Sequence, residues 1–285
     1  MYRVVKKRQL SPAVVLLEIA APAVAAKVEP GQFVIVRVDE LGERIPLTVM
    51  NFDREKGIVT LVVQEVGYTS ALINRMNEGD EFLDFVGPLG VPSDIKNHGT
   101  VVCIGGGLGI APLYPIARAL KDIGNYVISI LGSRSADLLI LEEEMRAVSN
   151  EVIIATNDGS KGMKGFVTDG LAQVLDQGHQ VKVIWAIGPM VMMKAVVDYT
   201  RPKGIKTIVS MNPIMVDGTG MCGACRISVG DETRFACVDG PEFDGHLVDF
   251  DLAMKRLNFY KDEENRARVR LECNCKGGQQ CGRES

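Results

Sequence analysis

The chain has 285 residues, 46% of them apolar and 24% charged, with a net charge of −4. Such a length holds about two domains of ~100–200 residues plus a small extra module, and the composition supports sizeable apolar cores. Interspersed charges leave no basic face for nucleic acid, and no run approaches the ~20 apolar residues of a membrane span.

Residues 1–97 predict an antiparallel β barrel. The runs "AVVLLEIAAP", "QFVIVRVDE", "IPLTVMNFD" and "GIVTLVVQEVG" are rich in β-branched residues, and Gly, Pro and Asp punctuate them. "TSALINRMNEGD" reads as a short helix within this part, ending at Gly79. The basic start of the chain is broken by Ser11-Pro12 and Glu18, which argues against a signal peptide. A cytoplasmic location is therefore expected. There, clustered cysteines serve more often as metal ligands or redox groups than as disulfides.

Residues 98–210 predict a parallel, doubly wound α/β domain, because continuous apolar strands alternate with helices. Its first strand, "TVVCI", runs into "GGGLGIAPLYPIARAL". A glycine turn between strand and helix lets backbone approach a pyrophosphate at a helix N-terminus. Gly105, Gly107 and Ile110 fill the three places of G-x-G-x-x-G, so the match is partial. The candidate nucleotide site is Gly106, Gly107, Leu108, Gly109, Ile110, Ala111 and Pro112, with Gly188, Pro189 and Met190 after a later strand. Ser133, Arg134 and Asp158 lie at two further strand ends, where open α/β sheets bind ligands. Ser133 and Arg134 suit an adenosine ribose or its 2′-phosphate, so they leave NAD against NADP open. A turn serving only packing is the plainer reading of the glycines.

Residues 211–285 predict a small cysteine-rich module with a hairpin, "CRISVGDETRFAC", a polar stretch, and a helix over "DLAMKRLNFYKDEENRA". "VDGTGMCGACRISVG" places Asp217, Cys222 and Cys225 in D-x4-C-x2-C, and Cys237 follows. That spacing is nearly the plant-type [2Fe–2S] pattern, with aspartate for the first cysteine. From the residues alone, an iron–sulfur site, a zinc site and an unliganded loop stay open, although structural zinc prefers four Cys or His ligands. Cys103 reads as a core residue. Cys273, Cys275 and Cys281 form C-x-C-x5-C in the tail, three thiols without a fourth ligand. Nothing marks His98, His179 or His246 as a catalytic base.

The order of "RIPLT", "EVGYTS", "GPLG", "GGGLGIAP" and "AIGPM" resembles the ferredoxin–NADP reductase superfamily. The resemblance implies that the barrel holds FAD through Arg44, Pro46, Leu47 and Thr48, and through Gly67, Tyr68, Thr69 and Ser70. Pro46 and Leu47 stand where an aromatic is common, which makes Tyr68 the candidate to stack on the flavin. With the cysteine module included, the chain resembles most closely the small (alpha) subunits of NADH-dependent reduced ferredoxin:NADP oxidoreductase, also known as sulfide dehydrogenase beta subunits. That likeness covers residues 1–260. It implies a [2Fe–2S] cluster on Asp217, Cys222, Cys225 and Cys237, with NAD(H) as the nucleotide and NADP(H) the variant. It also implies a heterodimer with a larger FAD and iron–sulfur subunit that carries an NADP(H) site, ferredoxin being engaged indirectly, in electron bifurcation. Hydride transfer to a flavin needs orientation rather than a protein acid or base, so no catalytic dyad is expected. Two other readings are the electron-transfer subunit of dihydroorotate dehydrogenase, which normally has four cysteines, and a non-catalytic redox sensor.

Overall fold

The computed structural model describes residues 2–40, 42–264 and 266. The tail cysteines Cys273, Cys275 and Cys281 lie outside the described residues. Seven strands open the chain: β1 (Tyr2–Ser11), β2 (Val14–Ala20), β3 (Phe33–Arg37), β4 (Ile45–Asp53), β5 (Ile58–Gln64), β6 (Glu81–Phe82) and β7 (Asp84–Leu89). They pair antiparallel in the order β6-β1-β2-β5-β4-β3-β7. Only Leu83 separates the two edge strands in the chain, and its N–H reaches the Arg37 carbonyl at 2.9 Å, so the sheet curls into a near-closed barrel.

Alternation along the strands fills this barrel. Val15, Leu17 and Ile19 from β2, Val34 and Val36 from β3, and Val59, Leu61 and Val63 from β5 share one core with Phe82 and Phe85. The opposite face of β2 is buried too. Val14 and Leu16 join Met50 and Val62 in a second core that belongs mainly to the following domain. This explains the four consecutive apolar residues Val14–Leu17 of β2 in a barrel that would otherwise alternate. Two short helices complete this part, α1 (Pro22–Ala25) and α2 (Tyr68–Arg75).

The second sheet contains β8 (Thr100–Gly106), β9 (Tyr126–Ser133), β10 (Glu151–Thr156), β11 (Met163–Lys164), β12 (Val181–Ile187) and β13 (Lys206–Ser210). Its order, β11-β10-β9-β8-β12-β13, is parallel throughout. The connecting helices are α3 (Ile110–Asp122), α4 (Glu142–Ala147), α5 (Val167–Asp176) and α6 (Met190–Thr200). Val101 and Cys103 of β8 face the core under α3 and α4, while Val102 and Ile104 face the core under α5 and α6. The stretch "LLILEEEMRAV", whose sequence predicts a helix throughout, is helical only in its second half: Leu141 sits at φ 56°, and α4 starts only after it. A left-handed leucine is uncommon, and here its side chain is buried in the α3–α4 core.

The last module holds the hairpin β14 (Arg226–Val229) and β15 (Glu232–Phe235), then β16 (Glu242–Asp244) and α7 (Phe250–Leu257). Asp249 caps α7 by accepting from Leu252 N–H at 2.9 Å. One element was not visible in the sequence. The polar stretch after Cys237 supplies β16, which pairs antiparallel with β13 through Ser210–Glu242, Val209–Phe243 and Ile208–Asp244. It covers the exposed edge of the parallel sheet, a tertiary requirement that no local pattern encodes.

Candidate functional site

Strand order reverses between β8 and β12, because α3 leaves β8 on one face and α6 leaves β12 on the other. Open sheets bind nucleotides in the crevice at such a point. The turns Gly106–Pro112 and Gly188–Met190 end these two strands, so the structure brings both predicted segments together. A Cβ on Gly109 would lie 2.2 Å from the Ile187 carbonyl oxygen, and one on Gly106 would lie 2.3 Å from Met192 Sδ. Gly109, which meets backbone, is therefore required for packing, whereas at Gly106 the flexible Met192 side chain would have to shift. Gly107 differs: its φ is +54° and nothing lies within 4 Å of where its Cβ would be. It faces open space. The turn enters α3, no side chain caps that helix start, and the Ile110 N–H bonds back to the Gly107 carbonyl.

The ends of β9 and β10 form one rim of the same crevice. Asn157 and Asp158 N–H reach the Ser133 and Arg134 carbonyls, each at 3.2 Å. Ser133 Oγ donates to the Ser135 carbonyl at 2.8 Å. Asp158 Oδ1 accepts from Ser160 Oγ at 2.6 Å and Ser160 N–H at 2.9 Å, and these bonds hold its carboxyl below the usual range. Arg134 is exposed.

Pro46, Leu47 and Thr48 lie on β4 opposite Ile35, Val34 and Phe33 of β3 and are half-buried. The start of α2 is tied to the loop before β4. Thr69 Oγ1 accepts from Glu43 N–H at 3.1 Å, and Ser70 Oγ accepts from Val66 and Gly67 N–H, each at 2.9 Å. Hence Arg44 and the Gly67–Ser70 segment lie at one corner of the barrel. Arg44 bonds Asp84 at 3.3 Å through Nη1 and the Val216 carbonyl at 3.3 Å through Nε. It straps the barrel to the residue just before Asp217.

The cysteine loop rests on the barrel. Phe33 and Ile35 pack with Met215, Ala236, Cys225 and Cys237 in one small core, with Leu89 at its edge. A Cβ on Gly218, at φ +79°, would lie 2.7 Å from Ile35 Cδ1. Sequence reasoning missed this seat, since Phe33 and Ile35 look like any barrel residues. Cys225 and Cys237 are buried with their sulfurs 3.2 Å apart. That exceeds the ~2.05 Å of a disulfide, so both thiols are free. Burial and the neighbouring thiol push Cys237 up to about 12. The other two residues form a second pair. Asp217 Oδ2 accepts from Cys222 N–H at 3.0 Å, and Oδ1 accepts from Thr219 N–H at 2.7 Å. The bond from Thr219 is the main cause of a lowered Asp217 pKa, so this acid is ionised near neutral pH. Among the described residues no three such side chains converge on a single ion. The four candidate ligands thus stand as two pairs along the loop, Asp217 beside Cys222 and Cys225 beside Cys237.

Family comparisons agree with this layout. A model of the iron–sulfur cluster binding domain of dihydroorotate dehydrogenase B matches residues 212–249, and one of the oxidoreductase NAD-binding domain matches residues 103–198. A Thermotoga maritima homolog of the electron transfer subunit of dihydroorotate dehydrogenase B (NAD(+)) is 48% identical over 261 residues, covering 92% of each chain. The Geobacillus thermodenitrificans electron transfer subunit is 36% identical, covering 84% of this chain and 94% of its own. The chain belongs to this family of electron-transfer subunits. A solved structure of an NADH-dependent reduced ferredoxin–NADP oxidoreductase, described for flavin-based electron bifurcation, matches with TM-score 0.91 and 46% identity. It covers 95% of this subunit and 98% of the matched chain. Phthalate dioxygenase reductase, at 18% identity and TM-score 0.56, shares the fold of the electron-transfer subunit.

Proposed function

We propose that this subunit carries electrons from NAD(H) through FAD to a [2Fe–2S] cluster and on to a larger flavoprotein subunit, as in NADH-dependent reduced ferredoxin–NADP oxidoreductase. The larger subunit would hold its own FAD, iron–sulfur clusters and NADP(H) site. The observation that carries this reading is the seat of the cysteine loop. Phe33 and Ile35 share one small core with Cys225 and Cys237, and the same two residues pair across the sheet with Thr48 and Pro46 of the flavin motif. A flavin at that motif and a metal centre at those sulfurs would be neighbours across one strand.

Under this reading residues 1–97 hold the flavin, 98–210 the nucleotide and 211–285 the cluster. A bound flavin exchanges hydride with nicotinamide and single electrons with the cluster. The chain supplies position. Gly107 and the start of α3 take the nucleotide phosphates, and Gly188–Met190 close the crevice over the nicotinamide. Pro46–Thr48, Tyr68 and the start of α2 hold the flavin. Ser133, Arg134 and Asp158 meet the adenosine ribose, where the ionised Asp158 suits a free 2′-hydroxyl and favours NAD. Asp217 with Cys222 would bind one iron, and Cys225 with Cys237 the other. Among the described residues no helix is long and apolar enough to cross a membrane, and we assign the complex to the cytoplasm.

Names among the relatives support a second reading, the electron-transfer subunit of dihydroorotate dehydrogenase. Asp217 in place of a first cysteine weighs against it. An anaerobic titration of the cofactor-loaded protein with NADH, and separately NADPH, tests the relay. Bleaching of flavin absorbance by NADH with growth of a [2Fe–2S] paramagnetic signal is expected. Failure of both nucleotides to reduce an iron-containing protein refutes it.

A further inference from the structure

Two arginines hold the turn between Cys222 and Cys225. Arg226 Nη1 donates to the Gly223 carbonyl at 3.1 Å, and Arg256 Nη2 donates to the Ala224 carbonyl at 3.4 Å. Gly223 and Ala224 are the two residues between the cysteines. The arginines come from different elements, β14 and α7, yet they converge on the same turn and line one cavity of about 290 Å³ together with Cys222. Arg226 is exposed and Arg256 half-buried. The hairpin's other arginine, Arg234, is neutralised by Glu232 and Asp239. By contrast, neither Arg226 nor Arg256 forms a salt bridge among the described residues. Two positive charges without a salt-bridge partner among the described residues are therefore fixed beside a thiol.

We propose that Arg226 and Arg256 form a cationic clamp on this turn that raises the reduction potential of the cluster held there. The inference rests on the cluster reading above. The step concerned is the addition of one electron, drawn ultimately from NADH, and it adds one negative charge while no bond forms or breaks. Fixed positive charge stabilises the product of that step relative to its reactant, and local charge is among the determinants of iron–sulfur potentials. The guanidinium is the suitable group because it stays charged at every physiological pH. These are positioning residues: they act through the turn and the field, not by touching iron. The half-buried Arg256 is less screened by salt than Arg226.

The test is a redox titration of the full-length, cluster-loaded chain, followed by electron paramagnetic resonance at low salt, for wild type, Arg226→Gln, Arg256→Gln and Arg256→Lys. Iron content is measured first in each. A lower midpoint is expected in both Gln variants, with the larger shift in Arg256→Gln and most of it restored in Arg256→Lys. The shift should be the same from about pH 6 to 8, where arginine does not titrate. An unmoved midpoint in both Gln variants, with iron retained, overturns the clamp alone. Loss of iron from both Gln variants overturns it too, by showing that the arginines build the turn rather than tune it. Absence of iron from the wild type overturns the cluster reading and this inference together.

Discussion

Two glycines of one turn do different jobs, and substitution separates them. Gly109→Ala drives a methyl into the Ile187 carbonyl, and overpacking of this kind costs about 1–3 kcal/mol. Gly107→Ala meets no neighbour and bears only the left-handed penalty of about 1–2 kcal/mol. Thermal unfolding of the two variants should show the larger loss for Gly109→Ala, while NADH affinity should fall for Gly107→Ala beyond what its stability loss explains. The glycine cluster was legible in the sequence, but this division of labour was not. It depends on Ile187 and Met192, which lie some 80 residues further along the chain and reach the turn only through the parallel pairing of β8 with β12. The same holds for Arg44. Its place before a flavin-like motif was readable, whereas its bond to the Val216 carbonyl joins positions far apart in sequence.

At the scale of elements, β16 is held by more than its pairing with β13. Its Glu242 accepts from Ser93 Oγ at 2.6 Å, in the link between barrel and parallel sheet, and from the fully buried Trp185 on β12 at 3.2 Å. Burial raises the pKa of this carboxyl, with Asp94 adding to the effect. A folded-state pKa above the unfolded one means that the folded chain binds the proton more tightly. Stability from this group is thus present at low pH and falls as pH rises from the ordinary glutamate range through the raised value. Glu242→Gln keeps an acceptor for Trp185 and a partner for Ser93, so it should flatten that decline. Glu242→Ala leaves the indole N–H unpaired and should cost about 1–3 kcal/mol at every pH. Denaturant unfolding from about pH 5 to 8 checks both. The sequence showed a polar stretch here because Pro241, Asp244 and Gly245 dilute the apolar signal of a three-residue strand.

For the whole molecule, the three parts are interlocked rather than strung together. The barrel sends Val14, Leu16, Met50 and Val62 into the core of the parallel sheet, and Phe33 and Ile35 into the cysteine module. That module in turn gives β16 to the sheet. A chain ending at Ser210 should therefore fail as a two-domain fragment. It bares the edge of β13 and the seat at Phe33 and Ile35, so size-exclusion chromatography should show self-association and thermal unfolding a lower midpoint than the full chain. A monomeric fragment of unchanged stability would contradict this account. Fold class was readable throughout the chain because strand rhythm and glycine turns are local signals. The interlocking was not, because every contact in it lies between distant segments.

The five residues of β3 carry one further consequence. Val34 and Val36 look into the barrel while Phe33 and Ile35 look toward the sulfur pair. Parity along the pleat decides which is which, so gain or loss of a single residue would exchange the two audiences. Descendants of this gene can alter the strand by substitution but not by length without unseating both. Under the proposed function, the spacing between flavin and cluster would then be inherited as a matter of odd and even.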